Sequence, residues 1–156
     1  MLSFGQATSY ASDIKQDKVV KQFKKTIENY FAQCPNNPRI AVTEENGSYL
    51  RSKYAILNNY KYDVKKSDSL ISPYVGYLEF VFKTYAYKKF DSKEDAYKDN
   101  SIDELIITKT YQINYGYQDG KWVATSGEYK LNMFNEEYPG MKKCSEKELS
   151  RPPLCP

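Results

Sequence analysis

Tyr74-Val75-Gly76-Tyr77-Leu78-Glu79-Phe80-Val81-Phe82-Lys83-Thr84-Tyr85-Ala86-Tyr87-Lys88-Lys89-Phe90 is the stretch that decides the fold. Leu78, Phe80, Phe82 and Ala86 fall on one side of it, and Val75, Tyr77, Glu79, Val81, Lys83, Tyr85 and Tyr87 on the other. A period of two over this length predicts one long strand of a half-buried antiparallel sheet. The Leu/Phe side is expected to face the core.

Working outward, similar patterns predict a strand over about Tyr54–Lys65, a third over Leu105–Tyr117 and a fourth over Lys121–Asn132. Asp119-Gly120 between the last two supplies the positive φ that a tight hairpin needs. Asp91–Glu104 holds six acids and two Lys and reads as a charged loop without a regular core. Arg39–Thr43 reads as a possible short strand, and Glu44–Ser48 as a turn. Asn46-Gly47-Ser48 has the form of a glycosylation sequon but is read as that turn.

Upstream the period changes. Val19, Val20, Phe23, Ile27, Tyr30 and Phe31 share one face of an amphipathic helix, with Lys18, Lys21, Lys25 and Glu28 opposite. Asp13 is the expected N-cap, and Cys34-Pro35-Asn36-Asn37-Pro38 the expected stop. The division is therefore a loose arm over 1–12, one domain over 13–132, and a Pro-containing tail over 133–156. The fold class is α+β: a long N-terminal helix on a curved four-stranded antiparallel sheet. The helix is the only large cover for the sheet's apolar face.

Composition narrows the chemistry. The chain has 156 residues, 16 Tyr and no His. Without His there is no Ser-His or Cys-His nucleophile pair, no His-ligated metal and no His pH switch. The net charge is only +3, and the basic residues are 20 Lys against Arg39, Arg51 and Arg151. Arg is preferred for bidentate phosphate contacts, so a nucleic-acid partner is not expected. No apolar run is long enough for a membrane span. Cys34, Cys144 and Cys155 lack CxxC spacing, so neither a thiol redox motif nor a metal site is expected. One disulfide among them would suit an oxidising compartment, and three free thiols would not; both stay open. Cys155 could also bond to a partner chain. Met1-Leu2-Ser3-Phe4-Gly5 has no basic start and no apolar segment, so no intact signal peptide is expected. A mature exported protein with a replaced leader would read the same.

The order of one long helix and then long antiparallel strands over residues 13–132 resembles the cystatin-like and NTF2-like superfold. Tyr62–Gly76 also resembles a segment of small uncharacterised exported bacterial proteins, which implies a periplasmic or extracellular location; a cytoplasmic one stays open. Cystatin-type protease inhibitors use a QxVxG hairpin and a Pro-Trp hairpin. Here Gln112-Ile113-Asn114-Tyr115-Gly116 has Asn114 at the Val position, and Trp122 lies inside the next strand without a Pro before it. Protease inhibition is not expected. An NTF2-like acid-base pocket would draw on Asp63, Glu79, Tyr30, Tyr60 and Tyr111.

The Tyr excess carries the functional expectation. Tyr77, Tyr85 and Tyr87 share a face of one strand, and Tyr111, Tyr115 and Tyr117 a face of the next. These six are the expected protein interface, because Tyr offers large rigid area with a polar tip. The chain is thus expected to be a non-catalytic binding or assembly subunit that docks on a protein partner or on itself. No catalytic residue, cofactor or metal is assigned. The alternative is a small-ligand pocket between helix and sheet, with or without Asp/Tyr catalysis.

Overall fold

A computed structural model of the protein describes residues 5–99, 104–134 and 136–153, with side chains described from residue 15 onward except at 86 and 87. Helix α1 spans Gly5–Ala32. It starts earlier than Asp13: Ala7 and Ala11 favour helix, and nothing after Gly5 interrupts it. Asp13 lies inside the helix, so residues 5–12 of the expected arm are its first turns. Residues 1–4 lie outside the described residues. Val19, Phe23, Ile27 and Tyr30 form its buried stripe.

The strands are β1 (Arg39–Glu45), β2 (Ser48–Ile56), β3 (Lys61–Lys66), β4 (Tyr74–Phe90), β5 (Leu105–Gln118) and β6 (Lys121–Met133). Two short ones follow, β7 (Glu136–Glu137) and β8 (Lys142–Lys143). They form one strongly curled antiparallel sheet of eight strands among the described residues, ordered β1-β2-β4-β5-β6-β7, with β3 on β4 and β8 on β6. The expectation of four strands is corrected. Two causes account for most of the difference. Asn46-Gly47, with φ of 51° and 76°, closes a hairpin that adds β1. The strand expected over 54–65 is two: Asn58-Asn59 interrupts it, Asn being depleted in strands. β2 and β3 then occupy successive lengths of the same side of β4. The long elements β4, β5 and β6 fall where the alternation placed them, and Asp119-Gly120 turns with φ of 49° and 79°.

Between α1 and the inner face of the sheet the core is filled by side chains. Phe23, Ile27, Leu78, Phe80, Tyr111 and Ile113 are each at most 1% exposed. Phe80 stacks on Tyr111 at 5.1 Å between ring centres, and Phe23 packs on Trp122 at 4.6 Å. The close approach of helix to sheet needs Gly76: a Cβ there would lie 2.7 Å from the Phe23 ring.

Two further segments differ from expectation. Asp91–Glu104 contains a short helix, α2 (Lys93–Lys98), capped by the Ser92 hydroxyl, and its Ala96 is fully buried. Residues 100–103 lie outside the described residues. The expected tail packs against the domain through residue 153. Helix α3 (Glu146–Ser150) carries a capping box between Ser145 and Glu148. The Tyr30 hydroxyl donates to the Glu148 carbonyl at 2.7 Å, Gln33 donates to the Ser150 carbonyl at 2.9 Å, and Pro152 is fully buried. Gly127 makes room for this closure, since a Cβ there would meet Leu149 at 2.7 Å. No helix is long and apolar enough to cross a membrane among the described residues.

Candidate binding surface

The strand register assigns each Tyr to a face. Phe80 stands opposite Tyr111, Leu78 opposite Ile113 and Gly76 opposite Tyr115. Tyr111 and Tyr115 therefore point inward, where they are 0% and 4% exposed. Tyr117 shares their parity, packs on Trp122 and donates to Gln22 of α1 at 2.8 Å. The expected six-Tyr outer face is thus corrected: these three build the interior. The polar run Thr108, Thr110, Gln112, Asn114 on alternate positions of β5 is the signal that marks the other side as outward.

Tyr77 and Tyr85 remain on the outer face, both half-buried. The Tyr77 hydroxyl donates to Glu79 at 2.8 Å and Gln112 donates to the same oxygen at 3.0 Å. These bonds hold the Glu79 carboxyl below its ordinary range, and burial with the bond to Glu79 pushes Tyr77 up to about 12. Lys53 lies over the Tyr85 ring at 5.1 Å. The Tyr87 side chain lies outside the described residues.

Among the candidate acid-base groups, Glu79 sits on the outer face and Asp63 is exposed, accepting from the Val64 N–H at 2.9 Å. Tyr60 packs beside Phe31. Tyr30 and Tyr111 are inside, and burial raises both hydroxyls far above the phenolic range. The half-buried Glu148 of α3 reaches the buried Tyr111, accepting from its hydroxyl at 3.0 Å. Burial pushes its carboxyl up, but hydrogen bonds from the Ser145 backbone, Tyr111 and the Ser145 hydroxyl, aided by Lys109, hold it below the ordinary range. Through Tyr111 and Ser145, Glu148 anchors α3 to the sheet. Trp122 donates to the Val19 carbonyl at 3.1 Å from a buried position, so it forms no exposed wedge.

Cys34 is disulfide-bonded and Cys144 is a free thiol; Cys155 lies outside the described residues. Burial, with Glu148 and Glu128 nearby, pushes the Cys144 thiol up to about 11, which makes it a poor nucleophile. Among the described residues no group of three His, Cys, Asp or Glu side chains is placed to hold a metal ion.

The feature that the sequence pattern passed over lies at the β3–β4 connection. Ser67-Asp68-Ser69-Leu70-Ile71-Ser72-Pro73 is tied by its own hydrogen bonds: Ser67 N–H to the Pro73 carbonyl at 2.9 Å, Ser69 N–H to Ser67 Oγ at 3.2 Å, and Ser72 N–H to Ser69 Oγ at 3.2 Å. Leu70 is 100% exposed and Ile71 78% exposed. The loop leans onto the outer face, because a Cβ on Gly116 would meet Ser72 Oγ at 2.7 Å. There Val75, Gly116 and Val123 stand side by side across β4, β5 and β6, and both valines are exposed. A groove of about 710 Å3 runs beside them, lined by Asp63, Lys65, Val75, Tyr77, Asn114 and Thr125 among others. Two adjacent aliphatic residues in a Ser-rich, Pro-ended loop were the available signal.

No family model matches the chain, and neither a curated protein nor a solved structure matches it.

Proposed function

We propose that the chain is a non-catalytic protein-binding or assembly subunit. Its contact surface is the outer end of the sheet formed by the 67–73 loop, Val75, Val123 and the adjacent groove with Tyr77. The observation that carries this is the full exposure of Leu70 on a loop tied by hydrogen bonds. Leaving two large aliphatic side chains in water forgoes a stabilisation of about 1.5–3 kcal/mol each. A docking site recovers that on binding, and a pre-ordered loop loses little entropy there. The aromatic filling of the interior and the outward placement of Asp63 and Glu79 favour binding over catalysis. The cystatin-like and NTF2-like resemblance is part of this proposal as an arrangement of helix and curled sheet only. The disulfide at Cys34 supports an exported location.

The test is quantitative capture from extract of the source cells by immobilised protein. Leu70→Asp/Ile71→Asp is expected to lower capture at least about tenfold while leaving unfolding free energy within about 0.5 kcal/mol, as for exposed positions generally. Unchanged capture overturns the proposed surface.

A small-ligand site has one observation in its favour. An open surface cleft of about 630 Å3 lies between α1, β6 and α3, lined by Tyr30, Tyr115 and Trp122 among others. The Tyr115 hydroxyl beside it is buried without a hydrogen-bond partner, and burial pushes it up to about 12. On this reading, aromatic alcohols or ketones raise Tm in a concentration-dependent way, and Tyr115→Phe weakens the shift. A flat Tm across such compounds removes it.

A further inference from the structure

We infer that the free edge of β3 pairs with the same edge of a second copy of this chain, in the register that sets Asp63 opposite Lys65. This goes beyond the loop surface proposed above and does not depend on it.

β3 pairs with β4 alone among the described residues, and all its residues except Val64 are exposed. The neighbouring 67–73 loop turns toward the outer face of β5 rather than across this edge, so the six residues stay accessible. Successive backbone groups of a strand point to opposite sides. Ser67 N–H bonds to the Pro73 carbonyl, so in the β3–β4 register residues 61, 63 and 65 bond to β4 and the groups of residues 62, 64 and 66 face the open side. There the Val64 N–H bonds to the Asp63 carboxylate in the single chain and exchanges it for the Val64 carbonyl of the second copy on pairing.

Two antiparallel copies joined through these groups have four registers near the strand centre, of which centring on Tyr62 sets Lys61 against Asp63 but pairs only residues 61–63 of each strand. Centring on Asp63 sets Asp63 against Asp63 of the second copy. Centring on Lys65 sets Lys65 against Lys65. Both place like charges directly opposite, which is unfavourable. Centring on Val64 sets Asp63 against Lys65 of the second copy, and the two-fold axis makes that pair twice. Asp63 and Lys65 share the outer face, where they already lie 3.4 Å apart within one chain. On the inner side the same register brings exposed Tyr62 opposite Lys66, a cation–π pairing. Charged edge strands ordinarily discourage pairing. This one discourages two registers, pairs only three residues in the Tyr62-centred one, and is self-complementary over residues 62–66 in the one centred on Val64. With only six residues a side the interface is small, so the dimer is weak and reversible.

Sedimentation velocity of the full chain from about 10 μM to about 500 μM, a range suited to weak complexes, reads this directly. The expected result is a reversible monomer–dimer equilibrium. Lys65→Asp and Asp63→Lys each weaken it about tenfold or more, and the double variant restores it to within about threefold, because the charges are exchanged on both copies. Val64→Pro removes an outward N–H without touching the β3–β4 bonds, so the circular dichroism spectrum is kept and the dimer is lost. A wild-type chain that stays monomeric overturns the inference. A dimer indifferent to Lys65→Asp, or one that the double variant fails to restore, overturns it too. Leu70→Asp separates the two surfaces: it leaves this dimer unchanged while lowering partner capture, and a dimer lost with Leu70→Asp refutes the edge assignment.

Discussion

Phe23→Ala is expected to lower the unfolding free energy by about 3–5 kcal/mol, the usual cost of a large buried aromatic. Phe23 has no exposed surface and lies against β4 at Gly76. Its ring packs edge-on to Tyr115 at 5.2 Å and to Tyr62 at 6.1 Å, and tilted on Trp122 at 4.6 Å. It sits over Gly76, whose missing side chain is what admits it. The vacated space cannot close readily, because β4 is paired along both sides and α1 is held at Tyr30 and at Trp122. Small domains have only about 5–15 kcal/mol in total, so this one change removes a large share. Urea unfolding followed through Trp122 fluorescence measures it. A loss under about 1 kcal/mol would contradict a core organised around this ring.

The second large effect is at Glu148. Glu148→Ala removes the acceptor for the fully buried Tyr111 and half of the Ser145 capping box. An unsatisfied buried hydroxyl costs about 1–3 kcal/mol, and a lost cap about 1 kcal/mol. The expected destabilisation is about 2–4 kcal/mol from these two causes. Part of it depends on pH. The folded carboxyl lies below its ordinary value of 4.5, so the stability it contributes is present above that value. It is lost as pH falls through the lower, folded value. Glu148→Gln keeps the shape and removes the titration. Thermal unfolding from pH 7 down to pH 3 is therefore expected to fall more steeply for the wild type than for Glu148→Gln. Parallel curves would show that Glu148 does not carry the acid sensitivity.

These two positions differ in how far the sequence disclosed them. Phe23 was visible as the centre of a helical stripe, and β4, β5 and β6 were visible from strict alternation, because burial of one face imposes that period. The face taken by each Tyr was not. Tyr is apolar along its ring and polar at its tip, so it fits either side of a sheet; only the register, with Phe80 opposite Tyr111, separates Tyr77 from Tyr111. The contribution of residues 142–153 was also hidden. α3 is too short for a periodic signal, although Ser145-Glu146-Lys147-Glu148 spells a capping box. The exposure of Leu70 and Ile71 was hidden for the opposite reason. Aliphatic residues in a loop usually fold back onto a core, and here hydrogen bonds among Ser67, Ser69, Ser72 and Pro73 hold the backbone so that they do not.

The most direct test of the central claim, that the contact surface is the outer sheet end around the 67–73 loop, is amide hydrogen exchange on the protein alone and bound to the partner it captures. Slowed exchange is expected in residues 67–77 and around Val123, with α1 and α3 unchanged. Protection confined to α1, α3 and Tyr115 would contradict the claim and place the contact at the open cleft between α1, β6 and α3 instead.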